Sequence, residues 1–342
     1  MFLLAGAACK IRYLTTGPTG CKTPMTDPIE LEAKVPEELA GNRLDQVAAE
    51  LFKAFSRSRL QQWIKEGDLL VDGQSCRSKD KLLGGERLTV NVVLEPEGEW
   101  EPEDIKLDVV YEDEHILVIN KPTRLVVHPA AGNYSGTLLN GLIHYLPENE
   151  NIPRAGIVHR LDKDTTGLMV VAKSLVAHHS LIKQLQERTV SREYQAITQG
   201  EMTGGGTVDK PIGRHPRTRT KMSVLEHGGK EAITHYRVIK RFPSHTHIRV
   251  NLETGRTHQI RVHMAHIGYP LVGDAAYGGR LKLPKGAAPE LHDTLRGFKR
   301  QALHAAKLGL IHPETDEYME WQVSPPADFE ALLLALEVDA RA

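Results

Sequence analysis

The spacing of apolar residues near the start of the chain predicts two short helices followed by strands. In GNRLDQVAAELFKAF, residues 41–55, apolar side chains recur three and four positions apart, as on one face of a helix. The next stretch, SRSRLQQWIKEG, predicts a second helix with Ser56 as its N-cap and Gly67 at its end. DLLVDGQ then predicts a strand that enters a turn at Asp72 and Gly73, and the β-branched ERLTVNVVL predicts another strand.

The remainder of the chain is dominated by alternating apolar and polar positions. Strands are predicted at DVVYEDEHILVINKP, TVSREYQAITQG, TVDKPIGRH, THYRVIKRF and HTHIRVNLETG. Helices are clearest at SLVAHHSLIKQLQER and GRTHQIRVHMAHIG. Because strands and helices do not alternate regularly, the pattern favours an α+β fold with a mostly antiparallel or mixed sheet over a doubly wound fold.

A change of composition predicts two domains. EPEGEWEPED, residues 95–104, combines acidic residues with two prolines and a glycine, which is typical of a linker. We therefore expect a small domain at 25–94 and a larger one at 105–335. Residues 1–24 have too short an apolar run for a signal peptide and are expected to be a disordered extension, with Met25 as an alternative start.

Composition excludes several classes of protein. The chain has 342 residues, of which 40% are hydrophobic and 25% charged, and a net charge of −1, so a folded protein without a global basic excess is expected. Its three cysteines lie far apart and form no CxxC pair, which argues against a disulfide framework or a zinc site and favours the cytoplasm. No apolar stretch approaches the length of a membrane span. The nucleotide-binding and hydrolase motifs GxxxxGK[ST], GxGxxG, HExxH and GxSxG are absent, so no cofactor and no metal are expected.

One carboxylate stands between two apolar stretches in GIVHRLDKDTTGLMVVAK, residues 156–173. The ordinary interpretation of Asp162 is a loop carboxylate that caps a turn. A functional interpretation requires a cation, because a buried carboxylate is costly unless it is paired. The polar but interleaved stretch at 252–279 offers Arg256 and Arg261 as candidate partners, although its charges would also suit a solvated helix face.

Further candidates point to RNA. Tyr194, in SREYQAI, is of a residue type that can stack on a base, although strand tyrosines more often serve packing. KPIGRHPRTRTKM, residues 210–222, holds several Lys and Arg residues and no acid, which suits a phosphate backbone but also a solvated loop. Arg57 and Arg59 lie beside the start of the second predicted helix, where backbone N–H groups also attract phosphate.

Several long blocks resemble those of the RluA-type pseudouridine synthases, in the order of that family. They are GIVHRLDKDTTGLMVVAK, INKPTRLVVHP, SREYQA and TGRTHQIRVHMAHIGYPLVGDAAYGG. Residues 41–74 resemble an S4 RNA-binding domain. Together the blocks cover about residues 30–335, which makes the resemblance far more specific than a single short motif. It implies a small S4-like domain followed by a larger catalytic domain with a mixed or antiparallel sheet.

The resemblance also implies roles for individual residues. Asp162 would be the catalytic carboxylate, Arg261 its salt-bridge partner, Tyr194 the ring against the target base and Ile260 an apolar wall of the pocket. The residues expected to bind the RNA substrate are Arg160, Ile260, Arg57, Arg59, Arg217, Arg219 and Lys221. A carboxylate that works on a nucleotide must be ionised and held in a dry pocket, which explains why apolar stretches flank Asp162.

The implied activity is isomerisation of uridine to pseudouridine within RNA, without metal, cofactor or energy source. The implied partner is 23S ribosomal RNA, as the large ribosomal subunit or its precursors, with helix 69 as the target, and a monomer suffices for this activity. Two alternatives stay open. One is an RNA-binding assembly factor with an inactive centre, and the other is a glycoside or nucleoside hydrolase that uses Asp164 as a second carboxylate.

Overall fold

A computed structural model of the chain describes residues 10–12, 29–52, 55, 57–92, 100–129, 134–218 and 220–341. The chain divides into two compact units, Met1–Pro96 and Glu97–Ala342, here called the N-terminal unit and the C-terminal unit. Of the expected extension 1–24, only Lys10–Arg12 is described, and it forms a strand where none was predicted. Within the predicted linker, residues 95–99 lie outside the described residues.

The N-terminal unit contains a small antiparallel sheet and two helices. Its elements are β1 (Lys10–Arg12), β2 (Ile29–Lys34), a 3₁₀ turn (Glu37–Leu39), α1 (Leu44–Leu51), α2 (Arg57–Glu66), β3 (Leu69–Val71) and β4 (Arg87–Val92). The order of strands in the sheet is β1-β2-β4-β3, with every described pair antiparallel. Both predicted helices and the strands at β3 and β4 are confirmed, whereas Ser56, the predicted N-cap, lies outside the described residues.

The core of this unit follows the helical spacing of its sequence. Leu44, Val47 and Ala48 of α1 are buried against Leu60 and Ile64 of α2 in one apolar cluster. Since helical neighbours lie three and four residues apart, these positions form one face of each helix. Charged side chains on the opposite faces of the two helices are exposed, namely Glu50, Arg57, Lys65 and Glu66.

The C-terminal unit is built on a larger mixed sheet. Its strands are β5 (Val109–Glu112), β6 (Ile116–Lys121), β7 (Thr166–Ala172), β8 (Ser191–Gln199), β9 (Gly206–Asp209), β10 (Ile212–Arg214), β11 (Met222–Val224), β12 (Ile233–Arg241), β13 (His245–Leu252), β14 (Leu303–Ile311) and β15 (Tyr318–Gln322). Its helices are α3 (Leu138–Tyr145), α4 (Leu175–Gln186), α5 (Gln259–His266), α6 (Pro289–Gly297) and α7 (Ala327–Asp339), with 3₁₀ turns at Pro147–Asn151 and Pro153–Gly156.

In the described part of the chain the main sheet runs β5-β6-β7-β14-β8-β13-β12-β9, with β15 paired to β14. Only β7 and β14 are parallel among these described pairs. Every residue of β7 is buried, which explains its unbroken apolar sequence LMVV at the centre of the sheet. The predicted α+β class with a mixed or antiparallel sheet is therefore confirmed.

Two predicted segments are interrupted by local features. TVDKPIGRH forms two short strands, β9 and β10, because Pro211 lacks the N–H that a continuous ladder would need. The helix predicted across GRTHQIRVHMAHIG begins only at Gln259, since His258 has a left-handed backbone with φ 58°. Trp100, in the middle of the predicted linker, packs against the core of the C-terminal unit.

No helix within the described ranges is long and apolar enough to cross a membrane.

Burial keeps several histidines of the C-terminal unit neutral, which predicts a loss of stability in mild acid. Burial lowers the pKa of His178, His245, His247 and His304 from 6.5 to about 4. The unfolded chain takes up protons near pH 6.5 but the folded chain only near pH 4, so stability falls as pH falls through this window. A shift of this size is worth on the order of 3 kcal/mol for each fully buried imidazole.

We therefore expect His178→Leu to flatten the decline in the free energy of unfolding between pH 6.5 and pH 4.5, measured by urea titration. His178 is only 7% exposed. The matched control is His179→Leu, because His179 is the next residue and is exposed. Equal pH profiles for the two variants would contradict this account of the buried imidazole.

Candidate active site

The segment GIVHRLDKDTTG forms a loop that leads into β7, and a glycine stands at each end where a side chain would not fit. Gly156 has φ +82°, and a Cβ there would lie 2.0 Å from the carbonyl oxygen of Ala172. Gly167 has φ +111°, and a Cβ there would lie 2.2 Å from the carbonyl oxygen of Ala305 on β14. Both glycines are therefore required for the loop to pass so close to the central strands.

A buried lysine from β6 holds the middle of this loop. Lys121 is 1% exposed, and its ammonium donates to the carbonyl oxygen of Lys163 at 3.0 Å and to that of Leu125 at 3.0 Å. Burial lowers the pKa of Lys121 to about 7, although the charges of Asp164 and Asp162 act in the opposite direction. The lysine thus fixes the backbone next to Asp162 rather than facing solvent.

A second cation, which lies just before β14, binds the backbone of the same loop. Arg300 is 8% exposed and donates from Nη1 to the carbonyl oxygen of Asp164 at 3.3 Å. Its Nε and Nη2 donate to both carboxylate oxygens of Asp328 at 2.7 and 2.8 Å. Gln301 adds a bond to the hydroxyl of Thr165 at 3.0 Å. The loop that carries Asp162 is therefore fixed by side chains far away in sequence.

Asp162 and Asp274 share one buried arginine. Arg261 donates from Nη1 to Oδ2 of Asp162 at 2.9 Å, and from Nε and Nη2 to the two oxygens of Asp274 at 2.7 and 2.9 Å. The side chain of Asp274 is fully buried, whereas that of Asp162 is 17% exposed. Although burial alone would lower the pKa of Arg261, the bonds and charges of Asp274 and then Asp162 raise it above its ordinary value. The permanently charged guanidinium thus fixes the orientation of the Asp162 carboxylate.

An imidazole lies on the other side of the same carboxylate. Nε2 of His258 lies 3.8 Å from Oδ1 of Asp162, and its Nδ1 is hydrogen-bonded to the hydroxyl of Tyr277 at 2.7 Å. The ring of Tyr277 also lies under the guanidinium of Arg261, 5.0 Å from Cζ to the ring centre. Burial lowers the pKa of His258, while Asp162 pulls it in the opposite direction. His258 and Tyr277 therefore complete the polar surroundings of the carboxylate.

Asp162, His258 and Arg261 line a cleft of about 710 Å³, together with Tyr194 and Ile260. Tyr194 lies on β8 and is 6% exposed, and Ile260 on α5 is 3% exposed. Burial raises the pKa of the Tyr194 phenol, so this ring is neutral. The cleft thus places one carboxylate beside an aromatic ring and an apolar wall. Asp164, the second carboxylate of the hydrolase alternative, is absent from its lining.

Arginines dominate the charged lining of the cleft. They are Arg154, Arg160, Arg188, Arg192, Arg256 and Arg261. The predicted Arg160 is exposed at the wall. Arg256, the other candidate partner of Asp162, donates instead from Nε to the carbonyl oxygen of Glu231 at 2.8 Å. The arginine that binds Asp162 is therefore Arg261. The described residues contain no group of three or more His, Cys, Asp or Glu side chains suited to hold a metal ion.

The basic loop predicted at 210–222 overlaps a hairpin made by β10 and β11. Arg217 is exposed at its end, and Arg219 lies outside the described residues. Lys221 was expected to face RNA, but its ammonium donates to the carbonyl oxygen of Ala276 at 2.6 Å. Lys221 therefore fastens the hairpin to the segment that carries Asp274.

In the N-terminal unit the two predicted RNA-binding arginines have partners within the unit. Arg57 donates to the buried carboxylate of Asp45 at 2.7 Å, and Arg43 donates to the same group at 3.0 Å. Burial alone would raise the pKa of Asp45, but the bonds from Arg57, Gln61 and Arg43 lower it. Arg59 lies over the ring of Trp63 with 6.0 Å from Cζ to the ring centre. Arg57 retains about half of its side-chain surface, 47%, for contact with solvent or RNA.

Sequence reasoning missed Asp274, Lys121, His258 and Tyr277 as parts of the site. Each lies inside a block that was quoted for the resemblance, namely INKPTRLVVHP or the stretch 254–279. A signal for Asp274 was the combination of two candidate arginines with a nearby acid in a glycine-rich segment. Nothing local distinguishes Lys121 from a surface lysine, because its acceptors are backbone carbonyls.

Comparison with known proteins identifies the family. The family model described as RNA pseudouridylate synthase matches residues 115–266, and the S4 domain model matches residues 42–88. The chain is 59% identical to "Ribosomal large subunit pseudouridine synthase D" of Pseudomonas aeruginosa over 318 residues, 93% of this chain and 99% of that protein. This chain belongs to the RNA pseudouridine synthases. A protein of the same name from Escherichia coli K12 is 54% identical over 92% of this chain and 97% of its own length.

Solved structures agree with this assignment. The structure titled "Human RNA Pseudouridylate Synthase Domain Containing 4" matches with a TM-score of 0.54 and 28% identity, over 67% of this chain and 93% of that one. This RNA pseudouridine synthase is accordingly an isomerase with an N-terminal S4 domain. Both family matches include residues of the sites described above: Asp162 and Arg261 in the first, Arg57 in the second.

Proposed function

We propose that this RNA pseudouridine synthase isomerises uridines of large-subunit ribosomal RNA in the hairpin of helix 69, with Asp162 as its catalytic carboxylate. The names of the related proteins support the ribosomal substrate. The assignment of helix 69 as the target rests on the sequence blocks described above. We further propose that the protein acts as a monomer. We place this activity in the cytoplasm, in keeping with the few scattered cysteines.

One observation carries the assignment of Asp162: its carboxylate is bound by Arg261 at 2.9 Å in the same cleft as the Tyr194 ring. Isomerisation breaks the bond between N1 and C1′, turns the uracil, and joins C5 to C1′. The hydrogen on C5 then leaves as a proton, and N1, freed from C1′, takes up a proton from water, so atoms and charge balance without a second reactant. An ionised carboxylate can serve either as a nucleophile or as a base at the nucleotide.

The surrounding residues prepare the nucleotide for this exchange. The target uridine must leave its stack to enter the cleft, at a cost of a few kcal/mol. Tyr194 offers a neutral ring against which the base can pack, and Ile260 offers an apolar wall that excludes water. A detached uracil has to stay in place while it turns, and packing between this ring and this wall limits its escape.

Cationic groups on both units support binding of the RNA backbone. The cleft is lined by several arginines but only by the carboxylates of Asp162 and Glu253. In the S4 domain, Arg57 and Arg43 meet at one carboxylate, so their pair keeps an excess of positive charge. Phosphate contacts of this kind supply most of the affinity for RNA and make it dependent on salt.

The substrate assignment can be tested with unmodified transcripts labelled with tritium at C5 of uridine. Because C5 loses its hydrogen, each turnover releases one tritium to water. We expect release from full-length large-subunit RNA and from assembled subunits, and none from small-subunit RNA. Replacement of the helix 69 loop by an unrelated loop should remove most of the release. Undiminished release after that replacement would overturn the assignment of helix 69 as the target.

The basic hairpin predicts a measurable salt effect. We expect Arg217→Gln combined with Arg219→Gln to weaken RNA binding and to lower the slope of log K against log salt by about 0.7 for each phosphate that is no longer neutralised. Fluorescence anisotropy over a series of salt concentrations would measure it. The control pair is Lys240→Gln with Arg341→Gln, which removes equal charge elsewhere, where Lys240 pairs with Glu337. The same slope in both pairs would exclude a special role for the hairpin.

A further inference from the structure

Three arginines of the C-terminal unit are equally buried, and one of them differs in its partners. Arg192, Arg261 and Arg300 are each 8% exposed. Arg261 binds two carboxylates, and Arg300 binds one in a two-point contact. Arg192 forms an ion pair with none of the described carboxylates. Its Nη2 reaches the carbonyl oxygen of Glu253 at 3.5 Å, and its Nε has no hydrogen-bond partner among the described residues.

An unpaired guanidinium in such surroundings is energetically unfavourable. Transfer of a charge from water into protein is costly, and only a counter-charge with good hydrogen bonds offsets that cost. The guanidinium nevertheless packs closely against the backbone of Gly255, since a Cβ at that glycine would lie 2.8 Å from Nη1 of Arg192. The glycine of LETGRTHQ thus leaves room for the guanidinium. A buried guanidinium held in this way is suited to bind an anion that enters the cleft.

The position of Arg192 relates it directly to the proposed base pocket. Arg192 precedes Tyr194 by two residues on β8, and the buried residues of this strand alternate, so both side chains belong to the same face. Both line the cleft. Their backbone positions are separated by roughly 7 Å along the strand, which is close to the distance between a nucleobase and its own phosphate group. The positive charge of Arg192 also lowers the pKa of the Tyr194 phenol, against the larger opposite effect of burial.

We infer that Arg192 binds a backbone phosphate of the target nucleotide and thereby seats the flipped uridine against Tyr194. This inference rests on the proposed function. A phosphate carries a permanent negative charge that neutralises the guanidinium, whereas the uracil carbonyls are neutral. The planar fork of arginine matches two phosphate oxygens at once. Arg192 is then a substrate-binding residue whose guanidinium gains an anionic partner in the complex.

The test pairs a change in the protein with a change in one linkage of the RNA. The substrate is a target hairpin in which the phosphate on the 5′ or the 3′ side of the uridine is a neutral methylphosphonate. With the wild-type protein, we expect one of these two replacements to lower kcat/KM by at least about tenfold, the usual effect of removing one charge-assisted hydrogen bond. With Arg192→Met, the same replacement should have almost no further effect. Full, independent losses from both changes, at both linkages, would overturn the inference.

Two comparisons separate substrate binding from a merely structural role. Arg188→Gln removes the same charge from the cleft wall, but Arg188 already pairs with Glu231 and Glu253. Its effect should therefore add to that of the methylphosphonate instead of masking it. Arg192→Met should also raise the Tm of the free protein by about 2–4 °C, because it removes an unpaired buried charge. A lower Tm would show that Arg192 serves the fold, and would overturn the inference.

Arg192→Lys provides a second variant in case the methionine variant folds poorly. It keeps the charge but not the fork, so kcat/KM should be intermediate and sensitivity to the methylphosphonate should persist. If Arg192→Lys were as insensitive to the methylphosphonate as Arg192→Met, phosphate binding by charge would be contradicted. The wild-type protein with the all-phosphate hairpin separates the two proposals: no isomerisation there refutes the proposed substrate, whereas isomerisation without coupling refutes only the role of Arg192.

Discussion

Asp162→Asn should reduce the rate of pseudouridine formation by at least ~10³-fold while RNA affinity stays within a few fold of the wild type. Asparagine preserves the shape of the side chain and can still contact Arg261, so the loop should keep its path. It cannot attack carbon as a carboxylate or take up a proton in the reaction. The effect should therefore appear in kcat and not in binding.

The measurement is single-turnover tritium release from C5-labelled RNA, with the binding constant determined in parallel by anisotropy. Asp164→Asn is the matched control, because it makes the same chemical change two residues away at a side chain that does not line the cleft. We expect it to retain most of the turnover. A fully active Asp162→Asn variant, or an equal decrease in both variants, would remove Asp162 from the catalytic role.

Arg261→Ala should abolish turnover and also destabilise the C-terminal unit by about 3–5 kcal/mol, the usual cost of breaking a buried ion pair from one side. The reason is that Arg261 neutralises two carboxylates at once, and the side chain of Asp274 is fully buried. Without the guanidinium, Asp274 keeps its backbone donors at Ala276 and Tyr277 but loses its only described cation. The orientation of Asp162 is lost in the same step.

Urea unfolding and tritium release would measure the two effects on one preparation. Arg261→Lys should recover part of the stability through its charge, but little turnover, because it cannot bind both carboxylates through three N–H groups arranged in a plane. Arg296→Ala breaks an exposed pair with Asp293 and should change stability by less than about 1 kcal/mol. An Arg261→Ala variant as stable and active as Arg296→Ala would contradict the shared-arginine arrangement.

The sequence predicted those elements whose pattern is local. Apolar spacing located α1 and α2, and alternation located most strands of the larger sheet, because periodicity reflects which face of each element is buried. It did not show that His258 takes a left-handed backbone, which delays the start of α5. It also did not show that Pro211 separates β9 from β10 as distinct strands.

The site was predicted only in part, for a different physical reason. Asp162 was conspicuous because its charge interrupts an apolar stretch. Arg261 and Tyr194 were candidates by residue type, and the resemblance gave each of them a role. Lys121 and Arg300 act on the same loop through backbone carbonyls, over separations of 42 and 136 residues. Such contacts are created by tertiary packing, and no local spacing announces them. Lys221 illustrates the converse, since a basic loop suggested RNA but its ammonium binds the protein.

The most direct test of the central claim is a nucleotide-resolution map of pseudouridine in large-subunit RNA. Unmodified RNA, both free and in assembled subunits, would be mapped after incubation with the wild-type protein and with Asp162→Asn. The account predicts new pseudouridines in helix 69 with the wild-type protein and none with the variant. Pseudouridines confined to other helices would contradict the substrate, and equal numbers of new sites with the two proteins would contradict the catalytic role of Asp162. No new sites with either protein would contradict the proposed activity on this RNA.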